Sequence, residues 1–458
     1  MDAHDDDVKA GKVDSVTTSS QGPDQEQVEN ELGRSKILSD RSFWGIAVTQ
    51  FLGAFNDNLY KQLMLLMALP GAAAALKGDT QGWATMAFSL PFVLLSGVAG
   101  YLSDRYSKSR IIVLCKFAEI AITLLAVLAF LWYPQLGNAG TWTVLVMMGI
   151  HSTFFGPGKY GILPELFEKR DLPRANGLIL MSTFLAIILG VIMAGRVKDL
   201  LVIKLADGTE DFSRLWIGSM VCAGVAVIGT LASMLIRFTP AAQPDARFTF
   251  TDGIAPKPIR ELLLKDTPLF LAIIVSSMFW LVGGLVIPVV NSLGKTQLLL
   301  QSDEKISNLT AGLAIGIIIG AIGANIVLKG MTPSRQVRLG MGIMVTMMFL
   351  LGFWLPGGQP IFGYWGSLIA LIGAGIGAAV FVIPLQVFLQ QRPPSELKGR
   401  MIGTMNFANF VGILIAGPLY QLFIAIAVSL GWPVSSVFWM MSLLLLPILL
   451  FYRLKDDP

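Results

Sequence analysis

The chain has 458 residues, of which 54% are hydrophobic and only 14% charged, against roughly 25% charged in a soluble domain. So few charges cannot cover one large soluble core, and the net charge of +4 does not indicate nucleic acid. Cys115 and Cys222 lie in separate apolar runs with no CxxC pair and no His at ligand spacing, which leaves no disulfide framework or zinc site to expect.

Residues 1–42 are polar and mostly acidic and hold no long apolar core, so they are neither a signal peptide nor a span. They read as a disordered cytoplasmic tail, and Asp5 to Asp7 as solvated charge rather than a metal cluster. No metal or other cofactor is expected. From Phe43 onward apolar runs recur, centred near residues 57, 92, 122, 149, 185, 225, 279, 318, 346, 373, 414 and 442. Each matches the ~20 residues of a transmembrane helix, which predicts an all-α membrane protein with twelve spans.

Lys and Arg accumulate in short cytoplasmic loops. With the N-terminus inside, the inner segments carry 25 of them and the outer segments 7, so both termini are expected to be cytoplasmic. The hydrophilic segment 238–266 separates two six-span halves, 43–237 and 267–453, and leaves 454–458 as a cytoplasmic end. A duplication is suggested by Arg174-Ala-Asn-Gly177 and Arg400-Met-Ile-Gly403, each opening the fifth span of its half.

Span one contains Gln50, Asn56, Asp57, Asn58 and Lys61. Ionisable groups at that depth cost roughly 2.5 to 3.5 kcal/mol on insertion scales and face a partner or a polar cavity. Asp57 and Lys61, four apart, share a helix face, and Gln50 continues the stripe. This group is the expected central cavity site, with an intrahelical neutralised pair as the alternative.

In span three Lys116 and Glu119 read as a structural pair, and His151 in span four as a packing residue rather than a proton relay. Gly312, Gly316 and Gly320 in span eight read as a helix-packing stripe.

Between spans two and three stands Gly100-Tyr-Leu-Ser-Asp104-Arg105-Tyr-Ser-Lys108-Ser-Arg110. It resembles the signature loop of the major facilitator superfamily. The resemblance implies that fold, with Gly100 allowing close helix approach. It also implies that Asp104, with Arg105 and Arg110, meets the positive start of span eleven at Lys398 and Arg400 as a cytoplasmic latch. Arg174, and Lys159 after Pro157, complete the expected gating set. Lys159 reads equally as a contact for lipid phosphate or as a positive-inside anchor.

QFLGAFNDNLYKQLMLL in span one and FFGPGKYGILPEL at 154–166 resemble the bacterial lysophospholipid transporter family of that superfamily. The resemblance implies flipping of lysophospholipids, such as lysophosphatidylethanolamine, across the bacterial inner membrane for reacylation. Lys61 would take the phosphate and Asp57 the amine. The chain ends five residues past its last expected span, so a stand-alone form without the fused enzymes is expected, and a monomer is expected as well. Membrane lipid is its substrate, and an acyltransferase/acyl-acyl carrier protein synthetase is the implied cytoplasmic partner.

A drug or small-solute antiporter of the same fold is the first rival. Its usual glycine-proline motif late in span five is missing from Leu189 to Gly195. A lipid enzyme is disfavoured: His4 and His151 have no Asp five residues on, and there is no GxSxG. A solute sensor on a transporter fold remains open.

Overall fold

The computed structural model describes residues 36–69, 78–168, 171–205, 209–245, 256–328, 330–394 and 397–454. The acidic tail with Asp5 to Asp7 and the last residues of the C-terminus lie outside them. The long helices are α1 Arg41–Met67, α2 Gln81–Arg105, α3 Lys108–Leu131, α4 Tyr133–Gly161, α5 Leu172–Leu201 and α6 Trp216–Ser233 in the first half. The second half has α7 Thr267–Ser292, α8 Asp303–Val327, α9 Pro333–Leu351, α10 Gly363–Gln391, α11 Lys398–Leu430 and α12 Ser436–Phe451. Among the described residues the only sheet is a two-residue hairpin, β1 Ile203–Lys204 paired antiparallel with β2 Glu210–Asp211.

Eight helices (α2, α3, α5, α6, α7, α8, α10 and α11) are long and apolar enough to cross a membrane. α1 falls below that threshold because the amides, Asp57 and Lys61 dilute its apolar content. Large side chains such as Leu114 (67% exposed), Leu443 (68%) and Phe451 (81%) line the outside of the bundle, as lipid contact requires and water would penalise.

The helices alternate in direction, so the bundle has a terminal end, where α1 begins and α12 finishes, and an opposite end. Each half has its own apolar core. The first helix of each half is fixed alike at the terminal end. Asp40 caps α1 through the amide of Ser42 and pairs with Arg237 at 2.8 Å. Asp266 caps α7 through the amide of Leu269 and pairs with Arg392 at 2.7 Å. The expected glycine stripe of α8 packs on α10. A Cβ on Gly316 would overlap the carbonyl oxygen of Ile372, so only glycine allows this approach.

The halves meet where α2 packs on α11 and α5 on α8. Phe92 stacks on Phe410 midway, with centroids 4.1 Å apart. Toward the opposite end the seam closes with Ile188 and Val191 against Ala311, and Leu66 against Ile306.

Candidate functional site

The polar residues of α1 point three ways, because successive helical residues are turned by 100° and packing fixes which face meets which neighbour. Gln50 and Asn56 are fully buried within the first half. Gln50 donates to Thr183 Oγ1 at 3.0 Å, and Asn56 donates to Glu119 Oε1 at 2.9 Å and to the carbonyl of Cys222 at 3.1 Å. Neither therefore belongs to a surface between the halves, contrary to the sequence expectation. Asn58 donates to Ala54 O of its own helix and faces Gly190 of α5.

Asp57 and Lys61 remain as the group turned toward α2 and α4. Asp57 Oδ2 accepts from Ser152 of α4, while its Oδ1 is buried without a hydrogen-bond partner. Lys61 lies over the ring of Phe88, 5.2 Å from its centroid, a contact worth about 0.5–2 kcal/mol. The two do not form an ion pair, so the intrahelical neutralised pair is not made in this state. Phe88 contacts Phe92, and Phe92 stacks on Phe410 of the other half. Lys61 is thus two rings from the seam. Asp57 also lies in the field of Lys159, whose ammonium rests 5.8 Å from the Phe155 centroid.

Behind Asp57 is a buried ion cluster. Lys116 and Glu119 pair directly, as expected from their spacing, and both are essentially without solvent exposure. Gly53 and Gly229 leave the room that the Lys116 ammonium fills. His151 stacks on Phe155 and brings Nε2 to 3.7 Å from Glu119, so it packs as expected and also borders a charge. Cys115 and Cys222 are buried and unpaired.

At the terminal end the expected latch partners are apart. The carboxylate of Asp104 faces Lys108 and Glu165 of its own half, and no ion pair joins it to Lys398 or Arg400 among the described residues. Arg105 engages Tyr101, and Arg110 lies over Phe238 at 5.1 Å. A Cβ on Gly100 would meet nothing within 4 Å, so Gly100 serves no close approach here. Arg174 is exposed in the first turn of α5. Lys108, four residues on from Asp104, pairs with Glu165.

The polar contacts between halves gather at the opposite end instead. Asp79 accepts from Ser292 and Tyr420 of the second half and from Gln81 of its own. Gln62 donates to Asn291, and Asn291 to Gln81, both at 2.9 Å. Lys198, 1% exposed, lies 2.9 Å from Glu210 and 3.2 Å from Asp303. Lys295 lies 3.6 Å from Asp303 and 3.8 Å from Glu210. Asp199 accepts the amides of Asp303 and Glu304 and the hydroxyl of Ser302. Gly195 presses directly on the Asp303 carbonyl.

Among the described residues the polar contacts between the two halves thus lie at the opposite end, and none is found at the terminal end. The family model described as Major Facilitator Superfamily matches residues 44–417. The chain belongs to the major facilitator superfamily. It is 29% identical over 413 residues to the "Lysophospholipid transporter LplT" of Yersinia pestis (strain Pestoides F) and of Yersinia pseudotuberculosis serotype O:3 (strain YPIII), covering 88% of this chain and 90% of each relative. Among solved structures it is similar to the nucleoside transporter NupG, with TM-score 0.62, 12% identity and coverage of 89% of this chain and 99% of that one. FucP in the outward conformation gives TM-score 0.59, 13% identity and coverage of 89% and 97%. These relatives and neighbours are transporters, not enzymes, and the chain is a multi-pass membrane protein.

For this major facilitator chain, the residues that sequence reasoning missed are those of the seal. Lys198, Asp199 and Asp303 sit at helix ends, where charge is ordinary, and their pairing spans about a hundred residues. The one usable signal was Lys198-Asp199 directly following the apolar run of α5 while Asp303-Glu304 opens α8.

Proposed function

We propose that the chain moves lysophospholipids, such as lysophosphatidylethanolamine, between the leaflets of a bacterial inner membrane by alternating access. In this reading all twelve long helices span the membrane as two six-helix halves, 43–237 and 267–453. The terminal end, with both termini and the 238–266 loop, is cytoplasmic. In this reading the polar contacts between the halves seal the outside, and none among the described residues closes the inside.

The observation that carries the reading is the pair Asp57 and Lys61. They are two opposite charges on one face of α1, unpaired with each other, with an aromatic path leading from Lys61 to the seam. A lone ammonium at that depth needs an anion, and a zwitterionic headgroup supplies a phosphate for Lys61 and an amine for Asp57. Lys159 adds a second cation on the cytoplasmic approach. The similarity to LplT relatives over most of both chains supports the same substrate class. The flipped lipid then passes to a separate acyltransferase/acyl-acyl carrier protein synthetase, with the transporter acting as a monomer.

The test is flipping of labelled lysophosphatidylethanolamine by purified protein in liposomes. Asp57→Ala and Lys61→Ala should each reduce flipping sharply in protein that still inserts, and the double variant should show no recovery. Wild-type rates in both single variants would sink the site. Transport of small solutes with no lysolipid flipping would replace the substrate class.

A further inference from the structure

We propose that the cavity between the starts of α7 and α9 and the end of α12 binds the phosphate of an anionic membrane phospholipid. The cavity holds about 420 Å³ and is lined by Thr267, Leu271, Ser334, Arg338, Tyr452 and Arg453, among others. All of these belong to the second half, away from α1 and the seam, so the site is separate from Asp57 and Lys61 and does not depend on what the protein transports.

Charge comes first. Arg338 and Arg453 are both exposed, and neither forms an ion pair among the described residues. Among the described residues, the acid next in sequence to the cavity lining, Asp266, is already engaged by Arg392 and by the Leu269 amide. Two guanidinium groups lining one cavity suit a phosphate, which each can grip through two parallel N–H donors. Tyr452 adds a phenol that burial pushes above its ordinary range, so it stays a hydrogen-bond donor at neutral pH.

Position comes second. α7 and α9 begin here and α12 ends here, so the cavity lies where helices leave the apolar layer, the level of lipid headgroups. Basic pockets between helices at this level hold anionic headgroups. The adjoining surface is apolar and open: Leu271 is 44% exposed, Leu339 41% and Phe451 81%. A phospholipid seated by its phosphate would lay its chains along these residues, whereas free inorganic phosphate would make no use of them.

Thermal unfolding of the delipidated full-length protein in detergent, titrated separately with phosphatidylglycerol, phosphatidylcholine and inorganic phosphate, tests the site. Phosphatidylglycerol should raise the unfolding temperature of the wild type, and Arg338→Gln/Arg453→Gln should weaken its apparent affinity at least tenfold. Arg335→Gln, exposed on the same helix but outside the cavity, should leave it unchanged. Equal affinity in wild type and the double variant would overturn the proposal, as would an equal loss with Arg335→Gln, which would mean general surface charge. Protection by inorganic phosphate matching that by phosphatidylglycerol would also overturn it, in favour of a soluble anion site.

Discussion

Asp199, in the last turn of α5, accepts the backbone amide of Asp303 at 2.8 Å and that of Glu304 at 2.9 Å. A carboxylate of one half therefore caps the first turn of a helix in the other. Helix starts carry unpaired N–H groups and partial positive charge, and losing a cap costs roughly 0.5–2 kcal/mol. Asp199→Ala should therefore shift the population away from the sealed state by about 2- to 30-fold. A single cysteine at the buried Thr310, whose hydroxyl donates to Asn291 in the network joining the halves, with Cys115 and Cys222 replaced, should label correspondingly faster with a thiol reagent reaching it from the opposite end. Unchanged labelling in folded protein would remove Asp199 from the seal.

Asp79 offers a pH handle on the same seal. It is 3% exposed. Burial raises its pKa, and the hydrogen bonds from Ser292, Tyr420 and Gln81 oppose that shift. Opening the seam returns Asp79 to water, so the sealed state holds its proton more tightly than the open one. Its favourable contribution is thus fully present below the ordinary carboxyl value of about 3.9 and is lost as pH rises through the raised value. As the pH falls through that raised value, labelling of the Thr310→Cys variant should slow by more than the thiol's own loss of thiolate, and Asp79→Asn should leave only the thiol's part of the profile. The same pH profile in both proteins would count against the assignment.

Lys116 and Glu119 should behave as a unit. Lys116→Met leaves Glu119 buried without its cation and should cost about 3–5 kcal/mol. Lys116→Met/Glu119→Leu should restore most of that loss, read as unfolding temperature in detergent. If the double variant is no more stable than the single one, Glu119 is held by Asn56 and His151 rather than by Lys116.

Asp104 forms no ion pair or side-chain hydrogen bond with α11 among the described residues, so Asp104→Asn should leave the unfolding temperature nearly unchanged. Its effect should appear in the other state, with the terminal end closed. Attraction to the start of α11 is worth ~0.3–2 kcal/mol, or an occupancy change of about 2- to 30-fold. Cysteines on the terminal rim should label faster in the variant. If rim labelling is unaltered, the charge of Asp104 only directs topology.

The fold was legible because it rests on composition along the chain: apolar runs separated by basic loops need no knowledge of neighbours. The Lys116 and Glu119 pair was legible because i and i+3 residues on one helix must be neighbours. The division of the α1 cluster was not. Asn56 and Asp57 are adjacent in sequence, yet one faces Glu119 and the other Ser152, and the rotation that separates them is set by packing against α3 and α4. The seal was hidden for a different reason, since its charges at helix ends look like ordinary solvated loop residues until two distant ends are brought together.

The stacked rings of Phe92 and Phe410 have a mechanical meaning. Phe92 lies 11 residues from the start of α2 and 13 from its end, which at about 1.5 Å per residue gives lever arms of roughly 16 and 20 Å. With arms so nearly equal, this ring pair can act as a fulcrum. A tilt of about 10° around it would move each end of α2 by roughly 3 Å. That displacement is comparable to the length of the hydrogen bonds that Ser292 and Tyr420 give to Asp79 at the sealed end, so a tilt of this size about the ring pair would be enough to break them.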